Sequence, residues 1–431
     1  MRATFLHMAD CHLGYRQYNS RDRQNDFARA YFDIIDRAIK QKVDFVLLAG
    51  DLFEKRTIDP RTLVHAITGL ERLRVAGIPC LAVEGNHELA YHRDRMGWME
   101  FLAERELLTL LNPKIEGERV SLSPYAQRRG AYVEPLPALR VYGMRYCGSA
   151  TAHVVRSVAG ALAASDRRGV EYTILMAHTG VEGVAAGRGN GLSLREMAPL
   201  RPHVDYLALG HFHNPFEFDN WIYNPGSTET NSMTEAAWPE RGSYLVEVDT
   251  ETKPKHRAVL HANARRPFQR LFFKVEGCDT PVKLVDHCRR YVERRRRQFK
   301  GDAPVVELRL TGVLPFDRSA LPLEPLKQMV EEVYRPLICF VRNDTRAAEF
   351  AVGEGQQLSR PALERQIIAG LLERDSRFRA RGAEWTELAL AIKDLAVSGA
   401  SAEAVLDEFT QGEERIRKGR ADFSQGDGMQ C

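Results

Sequence analysis

Five short apolar runs organise the first half of this chain: TFLHMADCH (residues 4–12), DFVLLAGDLF (44–53), IPCLAVEGNHE (78–88), YTILMAHTG (172–180) and YLALGHFH (206–213). Each has the length of a strand buried on both faces. Each ends in Asp, Asn or His, usually beside a glycine that lets the backbone turn sharply. Between the first two runs, Phe27, Ala30, Tyr31, Ile34, Ile35, Ala38 and Ile39 recur at helical spacing. Between the second and third, Asp59 and Pro60 supply a helix cap and first-turn residue, and Gly77 marks the stop. Strand, helix, strand, helix, strand predicts an α/β sheet with right-handed crossovers, in which ligands bind beyond the carboxyl ends of the strands.

Beyond residue 250 the pattern changes. Residues 248–270 hold charge and breakers without clear periodicity and predict an exit from the first domain. A β-α-β-α-β succession follows in LFFKVEG (271–277), TPVKLVDHCRRYVERRRRQFKG (280–301), APVVELRLTGVL (303–314) and LEPLKQMVEEVYRPLICFVRND (323–344). After about residue 346 the spacing is helical, in 359–378, 384–399 and 401–419, and the tail 419–431 is expected to be disordered. The expected domains are 1–265, 268–345 and 346–431.

Composition narrows the class. A chain of 431 residues has room for two or three domains, and its net charge of +3 argues for no partner by itself. The seven scattered cysteines lack CxxC spacing and fit reduced thiols. His7, Asp10 and His12 interrupt the opening apolar patch before a signal-peptide core forms, and no run is long enough to span a bilayer. A soluble, cytoplasmic protein without a membrane partner is expected.

The run LALGHFHNP (207–215) asks why a buried strand should end in two histidines one residue apart. Alternation in an extended chain puts Leu207, Leu209, His211 and His213 on one face, and Asp10 and His12 on one face of the first strand. Taken singly, Asp51 and Asn86 read as loop residues and His178 as a satisfied core histidine. Taken together, Asp10, His12, Asp51, Asn86, His87, His178, His211 and His213 form an oxygen and imidazole donor set without a thiolate, suited to manganese, iron or zinc. A central carboxylate such as Asp51 can bridge two cations about 3.5–4 Å apart.

The motifs DCHLG, GDLF, GNHE, a histidine after a strand, and GHFH, in that order, resemble the calcineurin-like metallophosphoesterases. ADCHLGYRQY, RQNDFARAY, VDFVLLAGDLF, IPCLAVEGNHE and YNPGST (223–228) further resemble the SbcD-type DNA double-strand-break repair nucleases. The resemblance covers residues 4–230. It implies an α/β two-sheet sandwich flanked by helices, with mixed sheets in place of a plain doubly wound one, plus a small α/β capping domain and a helical C-terminal region. One cation is implied at Asp10, His12, Asp51 and His213, and a second at Asn86, His178, His211 and the same Asp51. The expected pair is two Mn2+, with Mg2+, Fe2+ or Zn2+ as alternatives. His87 is implied to contact the scissile phosphate or protonate the leaving oxygen.

The implied function is a DNA exonuclease with single-strand endonuclease activity, acting as a homodimer and as the nuclease subunit beside an SbcC-like coiled-coil ATPase. The arginine run of 289–300, Arg294, Arg295, Arg296 and Arg297 above all, is the candidate DNA contact. Two departures stand out: Glu54 where many relatives carry histidine, and Glu88 where many carry Asp. The alternatives are a phosphodiesterase or phosphatase acting on a small nucleotide or phosphoprotein, and a non-enzymatic scaffold.

Overall fold

Apolar runs without alternation need cover on both faces, and two stacked sheets with helices outside provide it. The computed structural model describes residues 1–90, 96–117, 119–183, 191–238, 240–347, 359–374 and 377–418; the tail at 419–431 lies outside the described residues. The chain divides into two compact units, Met1–Gln269 with Gly301–Val305, and Arg270–Lys300 with the described residues from Val306 onward.

In the first unit, one sheet has the spatial order β14 (His256–Ala262), β13 (Gly242–Asp249), β1 (Arg2–Met8), β2 (Phe45–Ala49), β3 (Cys80–Val83) and β4 (Thr109–Leu110). Strands β1 to β4 are parallel, and β13 and β14 are antiparallel additions. The other sheet has the order β11 (Phe216–Phe218), β12 (Ile222–Asn224), β10 (Tyr206–Gly210), β9 (Tyr172–His178), β8 (Leu139–Met144) and β7 (Tyr132–Leu136). Its four central strands are parallel and its two edges antiparallel. A hairpin of β5 (Lys114–Glu116) and β6 (Arg119–Ser121) completes the strands of this unit. Both sheets are therefore mixed.

Alternate side chains of each strand serve different cores. Phe5, Phe45, Leu47, Leu81 and Val83 meet Val141, Ile174, Met176, Tyr206, Ala208 and Tyr223 between the sheets. Leu6, Met8, Val46, Leu48 and Ala82 pack outward against α1 (Arg21–Gln41), α2 (Pro60–Val75) and α3 (Trp98–Glu104). On the far side, Leu175, Ala177, Leu207 and Leu209 pack against α4 (Thr151–Ala164) and α5 (Leu194–Met197). The cap on α2 is the one expected, Asp59 accepting from Thr62 N–H with Pro60 in the first turn.

The reading of 248–270 needs correction. His256–Ala262 is a strand at the sheet edge, and its breaker-flanked, weakly apolar pattern reflects an edge with one partner and partial exposure.

The second unit contains β15 (Phe268–Lys274), α6 (Pro281–Gln298), β16 (Val305–Leu314), α7 (Leu323–Tyr334) and β17 (Ile338–Ala347), with β16 central in the sheet. Leu271, Leu284, Cys288, Val292, Leu308, Leu326 and Val330 form its core. Three helices follow, α8 (Arg360–Arg374), α9 (Gly382–Val397) and α10 (Ala402–Lys418), with α9 packed against both others. Ile367, Leu371, Leu406 and Phe409 on these helices are exposed. Among the described residues no helix is long and apolar enough to cross a membrane.

One polar side chain is built into the space between the sheets. His7 is fully buried, with Nε2 3.0 Å from Leu209 O and Nδ1 3.0 Å from the Tyr206 hydroxyl. A carbonyl only accepts, so Nε2 carries the hydrogen and Nδ1 accepts from Tyr206, which satisfies the neutral ring. Burial pushes its pKa down from 6.5 to about 3, against the opposing hydrogen bond to Leu209. The unfolded chain takes up this proton below pH 6.5 and the folded chain does not until about pH 3, so stability falls as pH falls through that window. This group alone is expected to remove on the order of 2 kcal/mol between pH 7.5 and 5. Urea unfolding of His7→Gln should show a pH drop smaller by that amount than the parent protein; an identical drop would contradict the assignment.

Candidate metal centre

The carboxyl ends of β1, β2, β3, β9 and β10 feed loops that converge on one point. Past the end of the β1–β2 ladder, Asp10 N–H donates to Gly50 O (3.1 Å), His12 N–H to Asp51 O (3.1 Å) and Leu13 N–H to Leu52 O (2.8 Å). Asp10 also joins the two sheets, because its Oδ2 accepts from His211 N–H at 3.0 Å. Asn224, the residue of YNPGST at the end of β12, donates to Phe212 O (2.6 Å) and Asn214 O (2.9 Å) and so holds the HFH loop. Two glycines permit the approach. A Cβ on Gly50, where φ is +90°, would lie 2.3 Å from His178 Nδ1, and one on Gly85 would lie 2.0 Å from Asp51 Oδ1.

Strand alternation does not deliver these side chains. β1 ends at Met8 and β10 at Gly210. Asp10 (φ 52°), His12 (φ 47°), Asp51 (φ 51°) and His211 (φ 84°) all sit in left-handed backbone. Such conformations cost of order 1–3 kcal/mol each and persist where surrounding bonds over-determine them. The consequence is that His211 and His213 part company. His211 Nδ1 lies 3.0 Å from Asn86 Oδ1, whereas His213 Nε2 lies 3.1 Å from His12 Nε2.

Two donor sets result. In one, His12 Nε2 and His213 Nε2 stand 3.9 and 4.0 Å from Asp10 Oδ1. In the other, His178 Nε2 lies 3.3 Å from Asp51 Oδ2 and 3.1 Å from Asn86 Oδ1. Asp10, Asp51 and His178 bring donor atoms within 4.8 Å of one another, which joins the two sets. His87 borders both: it is about one-third exposed, its Nδ1 lies 2.6 Å from Glu54 O, and its Nε2 lies 3.8 Å from Asp51 Oδ2.

The donor chemistry suits cations. Asp10 and Asp51 are buried, and among the described residues only histidines pair with them. His213 Nδ1 lies 2.9 Å from Glu235 Oε1 and His12 Nδ1 lies 2.9 Å from Glu54 Oε2. Carboxylates at both Nδ1 atoms favour hydrogens there, which leaves two Nε2 lone pairs facing each other; a proton or a cation has to lie between them.

The electrostatics agree. Burial opposes ionisation of Asp51, but His178, His12 and His87 outweigh it and hold the carboxyl well below the usual range. Burial likewise opposes charge on His178, and Asp51 and Asp10 overcome it to lift the pKa to about 10. For His211, burial and the neighbouring His178 win over the carboxylates and push it down to about 4.

Three supporting residues escaped the sequence reading in whole or in part. Glu235 and Arg241 carry no motif; Arg241 is fully buried and donates to Glu235 Oε2 at 2.6 Å, fixing the carboxylate that faces His213. Glu88, noted in the sequence only as a departure from the family's Asp, is buried and accepts from the N–H groups of Gly85 (2.8 Å), Phe53 (3.0 Å) and Asp51 (3.2 Å). It thus ties the loop after β2 to the loop after β3. In the arginine run, Arg294, Arg295 and Arg297 on α6 are exposed, while Arg296 is half-buried over the Phe299 and Tyr334 rings and donates to Phe299 O.

A fold of two mixed sheets with clustered carboxylates and imidazoles at their converging strand ends defines a metallophosphoesterase domain. Residues 3–215 match the family model described as calcineurin-like phosphoesterase, and the chain has the calcineurin-like phosphoesterase fold. The chain is 32% identical over 245 residues to the DNA double-strand break repair protein Mre11 of Archaeoglobus fulgidus, a match covering 54% of this chain and 52% of that protein. It is 28% identical over 351 residues to the protein of the same name from Sulfolobus acidocaldarius, covering 79% and 84%. Over the first three relatives the chain spans only about half of their length. The calcineurin-like phosphoesterase YfkN from Bacillus subtilis aligns with 61% of this chain and 90% of its own at 14% identity and a TM-score of 0.39, a likeness too weak to add weight.

Removing the Glu88 carboxylate strands three buried N–H groups. Glu88→Ala is expected to lower stability by about 2–4 kcal/mol, and Glu88→Gln by less because one amide oxygen still accepts. Chemical denaturation of both variants checks the order; equal stability of Glu88→Ala and the parent protein would contradict it.

Proposed function

We propose that this protein is a metal-dependent nuclease that hydrolyses DNA phosphodiester bonds at broken ends. The observation that carries the proposal is the pair of donor sets meeting at Asp51 and Asp10, with a partly exposed histidine on the rim. In this reading Asp10, His12, Asp51 and His213 hold one divalent cation, and Asn86, His178, His211 and Asp51 hold the other. When bound, the pair would activate water and neutralise charge on the phosphoryl group. Mn2+ is the preferred cation, with Mg2+, Fe2+ or Zn2+ as alternatives.

The role of His87 follows from its bonds. Its Nδ1–H is committed to the Glu54 carbonyl, so Nε2 is the atom able to contact the scissile phosphate or give a proton to the leaving oxygen. The nuclease reading draws on the repair proteins of the Mre11 name, to which the chain is similar over 245 and 351 residues. Double-strand-break repair as the process and exonuclease and single-strand endonuclease activity as the reactions belong to the proposal.

So do domain limits at 1–265, 268–345 and 346–431, DNA phosphate contacts by Arg294, Arg295 and Arg297, and a homodimer. Of the four arginines expected to touch DNA, Arg296 is half-buried over Phe299 and Tyr334, and Arg294 and Arg295 are exposed beside the Tyr291 ring. The exposed apolar side chains of α8 and α10 support a coiled-coil ATPase of the SbcC type as partner.

Digestion of end-labelled linear duplex DNA in Mn2+ should shorten the label, stop with EDTA, and fall by about 10²–10⁴-fold in His87→Ala. Cleavage of a small chromogenic phosphodiester without any loss of DNA would overturn the nuclease reading in favour of a small-substrate phosphodiesterase or phosphatase. DNA binding without hydrolysis of either substrate would favour the scaffold.

A further inference from the structure

The two donor sets have different surroundings. His12 faces the Glu54 carboxylate at 2.9 Å and His213 faces the Glu235 carboxylate at 2.9 Å. By contrast, His178 directs Nδ1 at the Ala49 backbone carbonyl (2.8 Å), and His211 has its Nδ1 toward Asn86. One set therefore has a carboxylate behind each imidazole, whereas in the other His178 has a neutral carbonyl behind it and His211 faces Asn86, assigned to the same cation. Glu54 is also one of the two residues at which this chain departs from its resemblance to SbcD-type nucleases.

We propose that Glu54 and Glu235 are positioning residues that make the two cation positions unequal, so that the position built from Asp10, His12 and His213 fills before the one built from Asn86, His178 and His211. A carboxylate behind a ligating imidazole fixes its tautomer and raises its basicity, and loss of such a partner typically costs 10–100-fold in metal affinity. The Glu235 contact is an aligned hydrogen bond, and Arg241 holds its carboxylate in place. The Glu54 contact has hydrogen-bond length but lies off the Nδ1–H axis, so it works mainly through charge. The Glu54 backbone carbonyl separately binds His87 Nδ1, and that bond survives any change of side chain. The Glu54 carboxylate also lies 3.9 Å from His87 Nδ1, so the readout for a Glu54 substitution is metal binding without substrate, in which His87 is assigned no part.

The inference rests on the two-cation reading of the centre and is independent of DNA as substrate. The test is calorimetric titration of the metal-free full-length protein with Mn2+ alone, without nucleic acid. Two steps of unequal affinity are expected in the parent protein. Glu54→Gln should weaken the tighter step by about 10–100-fold and leave the weaker one unchanged, and Glu235→Gln should do the same. His213→Ala should remove the tighter step, and Asn86→Ala the weaker. A structural role alone would lower the melting temperature or affect both steps together. Because Glu235 also pairs with buried Arg241, Glu54→Gln carries the test alone if Glu235→Gln fails to fold. Equal steps in the parent, an unchanged tight step in Glu54→Gln, or loss of the tighter step in Asn86→Ala would overturn the proposal. A protein that titrates as expected but leaves DNA intact would sink the nuclease reading and leave this one standing.

Discussion

The centre depends on Asp51 being held in a backbone conformation that its side chain does not favour. Its φ is 51°, it is 2% exposed, and each of its own polar atoms has a partner. The amide donates to Glu88, the carbonyl accepts from His12, Oδ1 accepts from His87 N–H, and Oδ2 faces His178. Three other segments, the loops after β1 and β3 and the end of β9, are therefore referenced to one residue. A bridging carboxylate is useful only if its two oxygens are aimed independently, and bonds from separate loops achieve that aim without a flexible side chain bearing the burden.

The cost of this arrangement is distributed through the fold. Left-handed residues at Asp10, His12, Asp51 and His211 oppose folding locally, and the cores on either side of each sheet offset them. The glycines at 50 and 85 remove side-chain bulk where the strand ends would otherwise collide. The site is thus a property of two sheets docked together, since Asp10, Asp51 and Asn86 come from one sheet and His178, His211 and His213 from the other. Neither sheet alone holds a complete donor set.

What was readable in the sequence was local. Apolar runs of strand length, the Asp59–Pro60 helix start and the polar residue ending each run are set by neighbours within a turn or a strand, and the structure has them where the pattern predicts. The eight residues named from those run ends all meet at the centre. How they meet was legible only through the family resemblance, which put His213 with Asp10 and His12, and His211 with Asn86 and His178. Extended alternation placed Asp10 with His12 and His211 with His213, whereas left-handed turns send His211 to Asn86 and His213 to His12. Glu235 and Arg241 were invisible because nothing in their own segment encodes a partner; Glu235 acquires its role only through His213, brought to it by the fold. The edge strand His256–Ala262 was missed for a related reason, its pairing with β13 being set by the sheet rather than by its own weak pattern.

In the proposed centre Asp51 is shared between two cations. Anomalous diffraction from crystals of the protein loaded with Mn2+ tests it directly. Two peaks about 3.5–4 Å apart, both within coordination distance of Asp51, are predicted. A single fully occupied peak at saturating Mn2+, or two peaks with Asp51 bound to only one, would contradict it.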